Sequence, residues 1–588
     1  MRNALVSVAV LAVAGGLWYA RRPATTEALA FATPKTRRLT QTGKASLAAI
    51  SPDGRYVAHV DGSLHKPGLW MRQVSTASSV QIVPPMDGTY WGIAFSPDGE
   101  AVLYAFSPKD GLVVSLFQIP VLGGPPRTLV EDIGSTPAFS PDGTRMAFIR
   151  GPTNAEDAIV LANADGTNQR RLASRTTSDG YAHTRVAWSP DGTLIAAFAG
   201  GIPNQRSRIV LVNVETGKER TFSDARFDFG GELVWLGDAS ALVFDAVQQA
   251  GGRWNMAGQL WAIAYPAGTL RRISPDEADY GGVAATTGGR TLVAVRNDAR
   301  AGLWVAPDGD AARARPITDT SNGLEGAVGI DWTPDDRIVY CARTQGSWNI
   351  WIANSDGSQP RQLTSDPGLE SHPQVLPDGK GIIFISRASG DGDSLIRGVD
   401  LDGSNPRQIV TGGGILRGYL QAIGDHVYFR AREGGRLVNF RVPLGGGPRE
   451  PLFADPTKLP PRFVSRSVSP DERWLLGNYA EPSSSGMAIV PIDGSGPVRK
   501  FPSNFTRSSG FGTTWAPGGQ ALDELVFRDG ATNLWRFPLD GSAPRPVTTF
   551  PSEEIVNYRW SRDGKTLAMS RGVESSDVFL ITSEDKKE

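Results

Sequence analysis

Short runs of alternating apolar and polar residues recur along the whole chain, and each ends in a turn signal. Val186-Ala187-Trp188 leads into the turn Ser189-Pro190-Asp191-Gly192, and Arg145-Met146-Ala147-Phe148-Ile149 follows Ser140-Pro141-Asp142-Gly143. Further runs are Asn349-Ile350-Trp351-Ile352-Ala353 and, after Asp356-Gly357, Arg361-Gln362-Leu363-Thr364. Alternation with a period of two residues is the pattern of a strand with one buried face, and Gly, Pro and Asp at hairpin spacing punctuate strands. One unit therefore reads as four short antiparallel strands.

The turn itself repeats. Its close copies begin at Ser51, Ser96, Ser140 and Ser189, and looser ones at Thr333, Leu376, Ser469, Ala516 and Ser561. Leu236-Gly237-Asp238-Ala239, Thr287-Gly288-Gly289-Arg290 and Ile423-Gly424-Asp425-His426 hold the same place in drifted units. The third turn positions run 53, 98, 142, 191, 238, 288, 335, 378, 425, 471, 518 and 563, a mean period of about 46 residues, (563 − 53)/11. Proline presets φ at the second turn position and glycine supplies positive φ at the fourth, so the repeated Asp reads as a turn residue and not as a catalytic carboxylate. Phe95, Phe139, Trp188, Trp235, Trp332, Trp515 and Trp560 stand just before turns and read as packing between units.

Twelve four-stranded units exceed the four to eight blades of one propeller and divide best as six plus six. The predicted fold class is all-β: two tandem six-bladed β-propellers with four-stranded antiparallel blades, after an N-terminal transmembrane helix. Arg37-Arg38-Leu39-Thr40 resembles the last strand of a unit and is expected to complete the sixth blade; Arg315-Pro316-Ile317-Thr318 is expected to complete the twelfth. Asp577 to Ile581 resembles a third strand. The expected division is an anchor or signal segment over 1–22, a linker over 23–36, a first propeller over 37–312, a second over 313–584 and a charged tail at 585–588. The connector falls near 307–314.

The apolar stretch Ala4 to Ala20 carries no charge and is flanked by Arg2 and by Arg21-Arg22. As a helix it spans roughly 25 Å, close to a hydrocarbon core of about 30 Å. It reads as a membrane anchor, with a cleaved signal as the second reading. The cations that follow it, taken alone, place the bulk of the chain in the cytoplasm.

A net charge of -1 gives no field for recruiting nucleic acid. A single cysteine, Cys341, excludes an internal disulfide framework and reads as core filler. The five histidines are spread along the chain, only His59 and His65 sharing a unit, and have no zinc-ligand spacing, so neither a metal nor a cofactor is expected. No Gly-x-Ser-x-Gly elbow of a propeller-bearing hydrolase is present.

The phrase Trp188-Ser189-Pro190-Asp191-Gly192 followed by an apolar strand resembles the WD40-like (PD40) repeat of bacterial TolB-type propellers. The resemblance implies the propeller fold and leaves function open. An apolar helix followed at once by such repeats also resembles the extracytoplasmic half of bacterial membrane-anchored serine/threonine kinases. That layout implies a single-pass protein of the bacterial inner membrane with its propellers outside the cytoplasm. Asp228-Phe229-Gly230 spells a kinase metal motif, but no His-Arg-Asp loop accompanies it.

Antiparallel order puts the Pro-Asp-Gly and Asp-Gly turns on one face of each ring. The loops between second and third strands, and the crossovers between units, lie on the other. That second face is varied in sequence, and binding groups concentrate on varied loops of rigid scaffolds. Candidate ligand-binding residues there are Trp91, Arg185, Asp228, Tyr280 and Trp254 in the first ring, and Arg417, Tyr419, Arg462 and Arg507 in the second; aromatic residues and arginines favour interface hot spots. The expectation is a non-enzymatic membrane-tethered sensor or scaffold that binds protein, peptide or envelope glycan. The alternative is a propeller hydrolase or lyase acting on peptide or glycan through a central-channel site.

Overall fold

A computed structural model describes residue 31 and residues 34–583, apart from 64–65, 110–112, 154–155, 177–178, 201–205, 248–257, 320–322, 345–346, 389–393, 411–412, 434–435, 454–458, 461–462, 482–483, 503–511 and 529. The apolar stretch Ala4 to Ala20 lies outside these residues. Among the described residues no helix is long and apolar enough to cross a membrane.

The chain is all-β, built from four-stranded antiparallel sheets of the kind that form propeller blades. The repeated turn explains each sheet's first hairpin. At Ser51 the backbone N–H of Gly54 donates to the Ser51 carbonyl at 2.9 Å, and Gly54 has φ +76°. The Ser51 hydroxyl donates to Asp53 at 2.7 Å and accepts from the Tyr56 N–H at 2.9 Å. The same hydroxyl-to-aspartate bond recurs at Ser140, Ser189, Thr333 and Ser561. The Ser51 hydroxyl and the Arg55 N–H hold the Asp53 carboxyl down to about 2. The aspartates of these turns are thus consumed by their own turns.

Five sheets follow one another from Ala45 to Arg272, and five more from Ile330 to Pro546. Apolar side chains on both faces of successive sheets form the cores between them. Leu233, Trp235, Leu242 and Phe244, for example, pack on Ala196, Phe198 and Phe227. Cys341 is fully buried in such a core, and burial pushes its thiol well above the usual range. Among the aromatic residues before the turns, Trp332 donates from its ring N–H to the Arg559 carbonyl at 3.0 Å, and Trp560 to Asp523 at 2.8 Å. These bonds join one sheet to the next.

The sixth and twelfth sheets are built jointly. The strand Thr291–Pro307 pairs along its whole length with Thr566–Ser583, from Thr291 opposite Thr582 to Pro307 opposite Thr566. The first part of Thr291–Pro307 pairs with Asp279–Ala285, and the far part of Thr566–Ser583 pairs with Pro34–Arg38. Together they make a four-stranded unit closing the first set of six. The remaining parts pair with Glu554–Trp560 and with Arg315–Pro316, and close the second set. The chain leaves the first set along one long strand and returns along another. The sets exchange strands near Arg300 and Val573, which face each other in the register. Residues 308–314, expected as the connector, form a turn and a short 3-10 segment inside the twelfth sheet.

This crossing fixes the orientation of the two sets. Thr291–Pro307 runs out of the end of the sixth sheet where the other sheets place the loop between second and third strands. The varied ends of both sets consequently face each other, and the Pro-Asp-Gly turns point outward.

Candidate functional site

The inward ends of the two sets meet through charged side chains. Asp228, just before the strand Phe229–Trp235 of the first set, is buried. Arg387, at the end of Gly381–Ala388 in the second set, donates from Nη1 to both of its carboxylate oxygens at 2.9 Å. Arg206 lies 3.3 Å from the same carboxylate. Nearby, Glu277 of the first set pairs with Arg272 at 2.6 Å and stands 3.8 Å from Arg343 of the second. Asp228 thus belongs to the contact between the sets.

A second cluster lies in the first set. Arg185 donates to the backbone carbonyl of Ile93, two sheets away, and its Nε stands 3.1 Å from Glu232. The sequence Gly230-Gly231-Glu232 produces this placement. The register shifts between Gly230 and Leu233, so the Glu232 N–H leaves the ladder and donates to Asp245 Oδ1 at 2.8 Å. The Val283 N–H donates to the same oxygen at 3.3 Å. A β-carbon at Gly231 would fall 1.9 Å from Asp245 Oδ2, so the bulge requires glycine there. Burial, reinforced by the Glu232 charge, pushes the Asp245 carboxyl up to about 7. Burial also raises Glu232, against the pull of Arg185. Carboxyls that keep a proton near neutrality can donate a hydrogen bond to a carbonyl, and Arg185 supplies a fixed positive charge beside them.

The other predicted residues scatter. Trp91 is exposed and donates to the Ser107 hydroxyl at 2.9 Å. Tyr280 is not on a binding surface: it is buried in the core with Phe31, Val234 and Leu292, because its ring fills the space between the fifth and sixth sheets. Tyr419 is also buried, packed with Val468 and Leu475. Arg417 lies in the strand Ile415–Ile423, and its side chain is outside the described set. Trp254, Arg462 and Arg507 lie outside the described residues.

Glu232, Asp245 and Arg387 were missed from the sequence. Their signal was an ionisable residue inside an otherwise apolar strand, as in Ala241-Leu242-Val243-Phe244-Asp245-Ala246-Val247. A charge in such a place is costly unless it has partners.

Comparison with known proteins bears on this arrangement. A homologue of tricorn protease from Streptomyces coelicolor is 25% identical over 288 residues, covering 46% of this chain and 24% of the relative. Dipeptidyl-peptidase 5 of Porphyromonas gingivalis is 25% identical over 232 residues, covering 37% of this chain and 30% of the relative. The chain thus spans roughly a quarter to a third of the length of these curated relatives. The crystal structure of tricorn protease matches with a TM-score of 0.32 at 13% identity, covering 88% of this chain and 54% of that one. The expectation of a protein that is not an enzyme is corrected here, because the curated relatives are named as peptidases. Residues 35–233 match the family described as the TolB beta propeller domain, PD40, and this part of the chain is similar to it.

Proposed function

We propose that the protein acts in peptide hydrolysis, as a pair of six-bladed propellers that face each other and orient a peptide between and within them. The observation that carries this reading is the match of nearly half the chain to a relative named as a protease. The chemistry of the inward-facing clusters supports it. A peptide offers carbonyl acceptors and N–H donors at every residue. Arg185 can hold a carbonyl, and Glu232 can donate to one when protonated and accept from an N–H when ionised. On the Pro-Asp-Gly faces the aspartates Asp53, Asp142 and Asp191 are occupied by their own turns.

The test is digestion of a mixed peptide library by the purified protein, with products identified by mass spectrometry. Cleavage is expected, reduced at least tenfold by Arg185→Met. Intact peptides after prolonged incubation, together with an absence of peptide binding by calorimetry, would remove the reading.

A further inference from the structure

Between the third and fourth sheets of the second set lies buried positive charge that has no counter-charge among the described residues. Arg430 lies on the strand His426–Glu433, opposite Asn439 of the neighbouring strand. It is 8% exposed, and its Nε has no hydrogen-bond partner among the described residues. The Tyr419 hydroxyl, in a residue 2% exposed, has none either. Arg466, on the strand Val464–Val468 of the next sheet, donates from Nε to Asn478 Oδ1 at 2.6 Å. The preceding Ser465 donates to Asn439. All the named neighbours are neutral or cationic.

The consequence is visible in the proton affinities. Burial, and then the Arg466 cation, pull the Arg430 guanidinium down to about 10. Burial also lowers Arg466. A buried guanidinium without a counter-charge lowers the stability of the fold. The three side chains share one chemistry: two guanidinium groups and one phenolic O–H, all able to donate. The planar fork of arginine matches a carboxylate in a bidentate manner. Arg430 stands three residues from the inward end of its strand, and Arg466 two residues into its own. Both therefore lie at the end of the second set that faces the first.

We propose that Arg430, Arg466 and Tyr419 form a carboxylate-binding subsite that takes a carboxylate of a peptide, from the C-terminus or from an acidic side chain. The peptide part of this statement rests on the proposed function; the carboxylate part does not.

Two measurements on the purified chain separate these parts. In the first, thermal unfolding is followed in sodium acetate and in sodium chloride at equal ionic strength. Acetate should raise the wild-type midpoint by about 2 °C or more over chloride, and should do nothing for Arg430→Met. In chloride, Arg430→Met should melt at or above the wild-type temperature, because it removes an uncompensated charge. Tyr419→Phe, which deletes one hydroxyl, should reduce the acetate effect without loss of fold. In the second, calorimetry compares three peptides of equal length: one with a free C-terminus and no acidic residue, one amidated with a single Glu, and one amidated without acid. One of the first two should bind at least tenfold tighter than the third, and which one identifies the source of the carboxylate. That advantage should vanish in Arg430→Met. Acetate stabilisation without any peptide binding would keep the subsite and discard the peptide. An acetate effect equal in wild type and Arg430→Met, or a marked fall in the Arg430→Met midpoint in chloride, would overturn the subsite.

Discussion

Arg387 and Asp228 belong to different sets of sheets, yet Nη1 of the arginine stands 2.9 Å from both oxygens of the aspartate. Both side chains are more than nine-tenths buried. The pair fixes how the inward ends of the two sets meet. Removing Asp228 leaves Arg387 as an uncompensated buried charge, which costs about 3–5 kcal/mol, whereas removing Arg387 leaves Asp228 with Arg206 at 3.3 Å and costs less. Asp228→Ala should destabilise the protein by that order, and Arg387→Met by less, because Arg206 still faces Asp228. The double variant should lose less than the sum, because Arg387 is no longer there to be stranded by the loss of Asp228. Urea unfolding of the four proteins gives the coupling energy, and strict additivity would sink the claim that the pair links the sets.

The two long strands make the sets mutually dependent. Gly572 lies opposite Ala301 where the strands pass from one set to the other. A β-carbon at Gly572 would fall 1.8 Å from the Arg300 carbonyl oxygen, so any side chain there forces the strands apart. Gly572→Val should cost roughly 3 kcal/mol or more, with both sets losing stability together. Hydrogen exchange read separately over residues 291–299 and 300–307 checks this. Loss of protection confined to one segment contradicts a shared sheet.

Most of the repeat plan was legible in the sequence, because the turn chemistry is local. A proline, an aspartate and a glycine at fixed offsets dictate a hairpin wherever they occur. The joining of the sets was not legible. Thr291–Pro307 carries Asn297-Asp298-Ala299-Arg300 in its middle, polar residues that read as a loop, and only the pairing with Gly572-Val573-Glu574-Ser575-Ser576 keeps them extended. The clusters of the proposed site were half legible. Arg185 stood out as an arginine before a strand, whereas Glu232 and Asp245 are brought to it by a bulge that two adjacent glycines allow. Arg430 was hidden for a similar reason, as a charge in the strand-like run Val427-Tyr428-Phe429-Arg430-Ala431.

The drifted turn at Leu236 keeps the shape of its relatives with the wrong residue. Ala239 has φ +59°, in the left-handed region that glycine occupies at Gly54 and Gly192. An L-residue with a β-carbon pays about 1 kcal/mol there, which glycine avoids. Ala239→Gly should therefore stabilise the protein by roughly that amount, against the usual effect of glycine, which loosens the unfolded chain. A urea midpoint that falls instead would show that the turn does not need the left-handed conformation.

The Asp245 carboxyl gives the sharpest pH signature. Its ordinary value is 3.8, and burial with the Glu232 charge lifts it to about 7 in the folded protein. Between these values the folded state holds a proton that the unfolded state has released. Stability from this group is therefore complete below about pH 4, falls as pH rises towards 7, and is flat beyond. Asp245→Asn keeps an oxygen to accept from the Glu232 and Val283 N–H groups and removes the titration. Urea unfolding from pH 4.5 to 7.5 should show wild type losing stability relative to Asp245→Asn by up to ~1.4 kcal/mol per pH unit, until the curves run parallel near neutrality. Glu370, which burial also lifts to about 7, titrates in both proteins and cancels in the difference. A difference that is constant across the range would mean that Asp245 is ionised throughout.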